Sequence, residues 1–355
     1  MIEKAEIYQT GNPWQKKVYK KMALFLEEKK GVNLFGKSRN GNTYKHLLTN
    51  EQSNLNFVTE QIHKATIERF SQHKAGDLQR ILTNTAASQP YCFNLIIYLQ
   101  QHLELADKLF SKLLDKQVKV HHLEPEFTPN MCDKIKGFER SNDESIGDQN
   151  PKIGSGTDAD IAVFYTYDNN KKGVVLIEFK FIEAEFSVCS SYAKKMQIKS
   201  VCNNENYYNE LVNNLEIESS KNFLCGYTRY NNWEFTEKSK MLDVAKIKSL
   251  SGCPFRFGLN QLWRNILLVE RVAETRECDE FSFWVFSPLQ NDKYLWKAEE
   301  FNNTEKQFRN ILTDKGNKHF KKIYLEDIFD VLRNIVSSKD EFNWLELMEE
   351  KYSIQ

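Results

Sequence analysis

Two short apolar runs constrain this chain most: DADIAVFYTY over residues 158–167 and GVVLIEFKF over residues 173–181. Each is rich in β-formers and too short for a buried helix. The stretch between them, Asp168-Asn169-Asn170-Lys171-Lys172-Gly173, reads as the turn of a hairpin, with Gly173 available for a positive φ. Antiparallel pairing across that turn sets the start of the first strand beside the end of the second. Asp160 then lies near Glu178 and Lys180, although 18 positions separate the two acids in the chain. Side chains alternate along a strand, so Glu178 and Lys180 share one face and Phe179 takes the other.

Carboxylates meeting in an apolar setting repel one another, and burying them costs several kcal/mol unless a cation compensates. Mg²⁺ (or Mn²⁺) is the expected cation, because Mg²⁺ takes oxygen ligands and keeps several waters. Asp160, Glu178 and the Phe179 carbonyl are the expected ligands. Lys180 would orient a water or neutralise a pentacovalent phosphate. The chemistry these residue types suit is metal-dependent cleavage of a phosphodiester. The plain alternative is a strand-end ion pair. Glu27/Lys29 and Glu349/Lys351 have the same Glu-x-Lys spacing in polar, helix-like stretches and carry no such reading.

The segment resembles the PD-(D/E)xK nuclease superfamily, in which an Asp at a strand start is followed, after a hairpin, by (D/E)-x-K. It is similar to a bacterial branch labelled as restriction endonucleases, on SQPYCFNLIIYL (88–99), EPEFTP (124–129), DIAVFY (160–165), IEFKFIE (177–183) and CPFRFGLNQLWRN (253–265). The first motif departs from the pattern, reading Asp158-Ala159-Asp160 with no preceding proline. Asp160 is preferred as the ligand because the apolar strand begins immediately after it. The resemblance implies supporting roles for Glu126 as an upstream acid beside the metal, for Gln261 on the helix after Pro254-Phe255, and for Glu183 after the Lys-aromatic pair. It also implies an α/β fold of restriction-endonuclease type, a mixed central sheet flanked by helices, with helical N- and C-terminal extensions. The expected activity is Mg²⁺-dependent endonucleolytic hydrolysis of DNA, as in restriction or anti-phage defence. An RNA nuclease or a catalytically inactive nucleic-acid-binding module of the same fold is the alternative.

Net charge argues mildly against a nucleic-acid partner, with 49 basic and 49 acidic residues. Distribution matters more than the total. Lys194, Lys195 and Lys199, and then Lys238, Lys240, Lys246 and Lys248, are candidates for a phosphate-tracking face. No charged-then-apolar leader and no span of membrane length is evident, so a cytoplasmic protein without a membrane partner is expected. Its association state, with a partner subunit or as a homo-oligomer, stays open. Among seven cysteines, Cys189, Cys202, Cys225 and Cys253 follow the paired strands. Four thiolates can close a Zn²⁺ site or hold an iron–sulfur cluster, but the spacing is long and lacks Cys-x-x-Cys. Four unrelated buried thiols are the alternative.

The expected organisation is a helical extension over 1–115, a core over 116–300 that carries a cysteine-containing insertion at 186–257, and a helical extension over 301–355. Within it, Pro13–Lys30 reads as a helix, Cys92–Leu114 as an amphipathic helical stretch and 117–128 as the first core strand. Gly258–Ala273 reads as a helix, 281–288 as a buried strand and Tyr324–Tyr352 as a helical tail.

Overall fold

The computed structural model describes residues 5–72, 76–129, 135–140, 157–189, 192, 202, 204–213, 225, 232–297 and 302–354. Its centre is the expected hairpin. Strands β2 (Ala159–Tyr167) and β3 (Lys171–Phe179) pair antiparallel from Ile161↔Ile177 to Tyr167↔Lys171. The turn is tighter than expected. Asp168, Asn169 and Asn170 take the positive φ values, 28°, 58° and 70°, which these short polar side chains tolerate best. Gly173 lies within β3 opposite Tyr165 instead, and a Cβ there would collide with the Tyr165 ring. Its missing side chain makes room for that ring rather than for a turn.

Strand β1 (Lys119–Phe127) pairs antiparallel with β2. On the other side β4 (Glu280–Ser287) runs parallel to β3, and β5 (Phe320–Tyr324) runs parallel to β4. The result is a mixed sheet in sequence order β1-β2-β3-β4-β5. The last strand corrects a sequence expectation, since the segment over 301–355 was read as helical. FKKIY shows little of an alternating pattern. Its lysines are absorbed individually: Lys321 Nζ donates to Leu113 O at 2.9 Å, and Lys322 pairs with Asp292 and Glu305 at 2.9 and 2.6 Å.

The principal helices are α1 (Pro13–Leu24), α2 (Glu60–Gln72), α3 (Leu78–Thr83), α4 (Ser88–Gln101), α5 (Leu103–Leu114), α6 (Leu259–Thr275), α7 (Leu325–Ile335) and α8 (Lys339–Tyr352). A π-helical turn, Phe25–Lys29, continues α1. The stretch Cys92–Leu114 is two helices broken at His102. Of these, α4 is buried from Pro90 to Leu99 and is not amphipathic, because it lies against the sheet with helices on its other sides.

The strand alternation sorts residues onto two faces. Ile161, Val163, Tyr165, Val175, Ile177 and Phe179 enter a core shared with α1, α4, α5, α7 and α8. Ala162, Phe164, Val174 and Leu176 enter the opposite core, built around α6. The first core draws on residues from Trp14 to Tyr352, so both ends of the chain pack on the same sheet face. Lys351 corrects its reading as a residue of a polar stretch. It is fully buried, its Nζ bonding to both Asn56 O and Asn56 Oδ1, and it ties α8 to the N-terminal segment.

Candidate active site

The register predicts where the acids meet. The β2–β3 ladder ends at Ile161↔Ile177, so the next rung pairs Asp160 with Glu178. The β1–β2 ladder has Pro125↔Ile161 and Phe127↔Ala159, which sets Glu126 opposite Asp160 on that same rung. Three carboxylates from three adjacent strands therefore share one level at the end of the sheet, where α6 reaches Glu178 and α4 reaches Glu126. Glu126 carries a positive φ of 52°, an unusual backbone for a glutamate.

Each acid is held differently. Asp160 Oδ2 accepts from Phe179 N at 2.6 Å, while Oδ1 makes no hydrogen bond among the described residues. Glu178 is 3% exposed and Lys180 7%. Glu178 Oε1 accepts from Lys180 Nζ at 2.8 Å and from Gln261 Nε2 at 2.7 Å, and Oε2 accepts from Asn265 Nδ2 at 2.7 Å. A carboxylate has about four lone-pair sites, so one remains. Gln261 and Asn265 stand one turn apart on α6, which projects both toward Glu178. Gln89, near the start of α4, donates to Glu126 Oε1 at 2.8 Å. Arg69 of α2 donates to the carbonyls of Pro125 and Glu126 at 2.9 and 2.8 Å and pairs with Glu124 at 3.2 Å. It thereby fixes the end of β1.

The electrostatics follow from burial. Burial pushes the Asp160 carboxyl well above the carboxylate range, and the neighbouring Glu178 and Glu126 push it further; Lys180 and the Phe179 N–H oppose them. Burial also raises Glu126 to about 7, against Gln89 and Arg69, with Asp158 and Glu178 adding to the rise. Burial alone would lower Lys180, but Glu178, Glu183 and Asp160 outweigh it and hold the ammonium charged. The site thus gathers more negative than positive charge.

A family model describing the PD-(D/E)XK nuclease superfamily matches residues 9–354. The chain belongs to the PD-(D/E)XK nuclease superfamily. Searches of curated proteins and of solved structures return no match. The mixed sheet with flanking helices is the α/β, restriction-endonuclease-like architecture expected of a PD-(D/E)XK protein.

Within this PD-(D/E)XK fold, Asp160, Glu178, Lys180, Glu126 and Gln261 converge. Asp158 is exposed and off the rung, accepts from Thr128 Oγ1 at 3.2 Å, and lies close enough to Glu126 to add to its rise. Glu183 sits beyond Lys180 rather than on the rung of acids. It accepts from the Ser88 hydroxyl and from Phe181 N at 3.1 Å, and pairs with Arg80 at 3.5 Å. Sequence reasoning gave no role to Asn265, Gln89 or Arg69. The first was findable, since it follows Gln261 by four positions on a helix; the other two come from segments far away in sequence. Among the lysines proposed for a phosphate-tracking face, Lys238 is paired with Glu234 at 2.6 Å and Lys248 with Glu237 at 3.0 Å. Lys194, Lys195 and Lys199 lie outside the described residues.

The four cysteines are drawn toward one turn, Cys253–Arg256. Cys189 N donates to Arg256 O at 3.2 Å, Arg256 Nη1 donates to Cys202 O at 3.3 Å, and Cys225 Sγ accepts from Trp233, whose ring lies 5.5 Å from Phe255. Burial raises the Cys202 thiol to about 12 and Cys253 well above the thiol range, with the neighbouring cysteines adding to both. As they stand, no three His, Cys, Asp or Glu side chains among the described residues form a metal-holding group, here or at the carboxylates. Among the described residues no helix is long and apolar enough to cross a membrane.

Proposed function

We propose that this PD-(D/E)XK protein is a cytoplasmic endonuclease that hydrolyses DNA phosphodiesters with Mg²⁺ or Mn²⁺, in the service of restriction or anti-phage defence. The observation that carries the reading is the single rung of Glu126, Asp160 and Glu178 beside Lys180: three carboxylates against one ammonium. Such an excess of buried negative charge stands only with protons or a cation on it. The donors fit a hard divalent ion. They are oxygens, Asp160 Oδ1 is uncommitted, and Mg²⁺ is bound through one or two carboxylates with waters completing its octahedron. Asp160, Glu178 and the Phe179 carbonyl would hold it, and when bound it would polarise the phosphate and make an attacking hydroxide available near neutral pH.

The remaining work falls to the protein's own groups. Lys180 keeps its ammonium at the edge of the carboxylates, where charge develops on the reacting phosphate. Gln261 and Asn265 fix the Glu178 carboxylate from α6, and Phe179 N fixes Asp160. Ligand atoms held this way need no reorganisation when substrate arrives. Glu126, secured by Gln89, is the nearest further acid for taking a proton. In the same reading Cys189, Cys202, Cys225 and Cys253 would be the residues to hold Zn²⁺ or an iron–sulfur cluster, which would tie the 186–257 insertion to the core. Incubation with plasmid DNA, with and without Mg²⁺, tests the function. Cleavage that requires the metal is the expected result. Intact DNA with cut RNA would move the substrate to RNA, and no cleavage of either would leave a binding module.

A further inference from the structure

A second site lies on the N-terminal side of the fold. Three tyrosines, Tyr8, Tyr19 and Tyr44, surround His46 and line a cavity of about 510 Å³, a volume usual for small-ligand sites. Tyr8 meets Tyr19 and Tyr44 edge-on, at 4.8 and 4.9 Å between ring centres, and Tyr19 lies 4.6 Å from the imidazole. The segment carrying Tyr8 is pinned there, since Glu6 N donates to Thr43 O and Lys45 N to Glu6 O. The tyrosines are half-buried, so their rings are accessible from the cavity.

Two observations motivate a ligand here. His46 is only 6% exposed, yet its Nδ1 has no hydrogen-bond partner. Burial lowers its pKa to about 4, so the ring is neutral at physiological pH. A buried polar atom left open marks an unfinished network. The rim also carries three cations, Lys37, Arg39 and Arg80, of which Arg39 faces Asp77 and Arg80 faces Glu183. Arg39 is 95% exposed at its side chain and only loosely paired to Asp77 at 3.6 Å, which leaves it free to turn toward an anion.

One contact leads from the cavity toward the cleavage centre. Arg80 lines the cavity and pairs with Glu183, three residues after Lys180. Glu183 also helps raise the Tyr19 hydroxyl to about 12, after burial and Tyr8, so the phenol stays protonated as a donor. Aromatic faces, neutral polar groups and a cationic rim together suit an unstacked base and its phosphate. We propose that this cavity receives one unstacked nucleotide of the substrate strand and sets where the strand lies across Asp160 and Lys180. The proposal rests on the nuclease reading and deepens it.

The test uses the full chain, a short oligonucleotide bearing a fluorescent base analogue, and the variants Tyr44→Ala and Arg39→Ala. Arg39 is so exposed that its removal leaves folding intact, and the melting temperature checks Tyr44→Ala. Losing a stacking partner costs about 10- to 100-fold in single-strand affinity. The expected result is a loss of that size in Tyr44→Ala, with loss of the quenching that stacking produces. Arg39→Ala should weaken binding and flatten its salt dependence. Wild-type binding and cleavage with both variants unchanged would overturn the pocket while leaving the nuclease intact. A wild type that binds no nucleic acid would instead overturn the nuclease reading and the pocket with it.

Discussion

Lys180→Met tests the centre most directly. The ammonium lies 2.8 Å from Glu178 Oε1, and both side chains are more than nine-tenths buried. Its backbone N donates to Phe286 O at 2.8 Å, so the strand end keeps its anchor when the side chain changes. Two separable effects follow. Cleavage should fall about 10²- to 10³-fold, roughly 3–4 kcal/mol, the usual loss when a preorganised charge facing the transition state is removed. Stability should fall too, since breaking a buried ion pair costs about 3–5 kcal/mol by leaving one charge uncompensated. Here Gln261 and Asn265 still bond Glu178, so the low end of that range is expected. Added Mg²⁺ should restore part of the midpoint, and metal affinity should hold or rise because a competing cation is gone. Urea unfolding with and without Mg²⁺, beside single-turnover cleavage, reads all of this. Full cleavage by Lys180→Met with ordinary metal dependence would refute the assignment of Lys180.

Asp160→Ala should abolish calorimetric binding of Mg²⁺ or Mn²⁺; a variant binding like wild type would move the ligand role elsewhere. Cleavage should fall as pH drops below about 7, because Glu126 holds a proton up to that range, and Glu126→Gln should flatten that limb. In metal-free protein the folded state holds this proton more tightly than the unfolded chain does. Stability should therefore decline as pH rises from the carboxylate range through about 7, a trend Mg²⁺ should reverse. Buried Lys351 behaves in the opposite sense, with its pKa lowered well below the usual lysine value by burial and then by Lys30. The unfolded chain binds that proton more tightly, so wild-type stability should climb toward alkaline pH by up to about 1.4 kcal/mol per unit; Lys351→Met should lose the climb and still cleave. Anaerobically purified protein should carry stoichiometric zinc or iron and lose melting temperature to a chelator; protein with neither metal would dissolve the cysteine site.

Two short apolar runs rich in β-formers, with a polar turn between them, were enough to give the hairpin and the meeting of Asp160 with Glu178. Strand pairing across a short turn is fixed by the sequence on either side of it, and a one-residue slip would have set Asp160 and Glu178 on opposite faces. The buried strand at 281–288 and the helix carrying Gln261 were legible for the same reason. What the tertiary structure decided came from distant segments. Gln89 and Arg69 reach Glu126 only because α4 packs against β1 and α2 packs against α4. Asn265 matters only once α6 covers the Glu178 face. The strand Phe320–Tyr324 carries too little pattern to announce itself and forms because β4 offers an open edge. Lys351 has the spacing of a surface residue and is buried because α8 folds back onto the N-terminal segment. Even Gly173 was read for the freedom of its backbone and proved to matter for the space it leaves to Tyr165. Period and turn chemistry act between neighbours in the chain, whereas burial and charge balance belong to whatever the fold brings alongside.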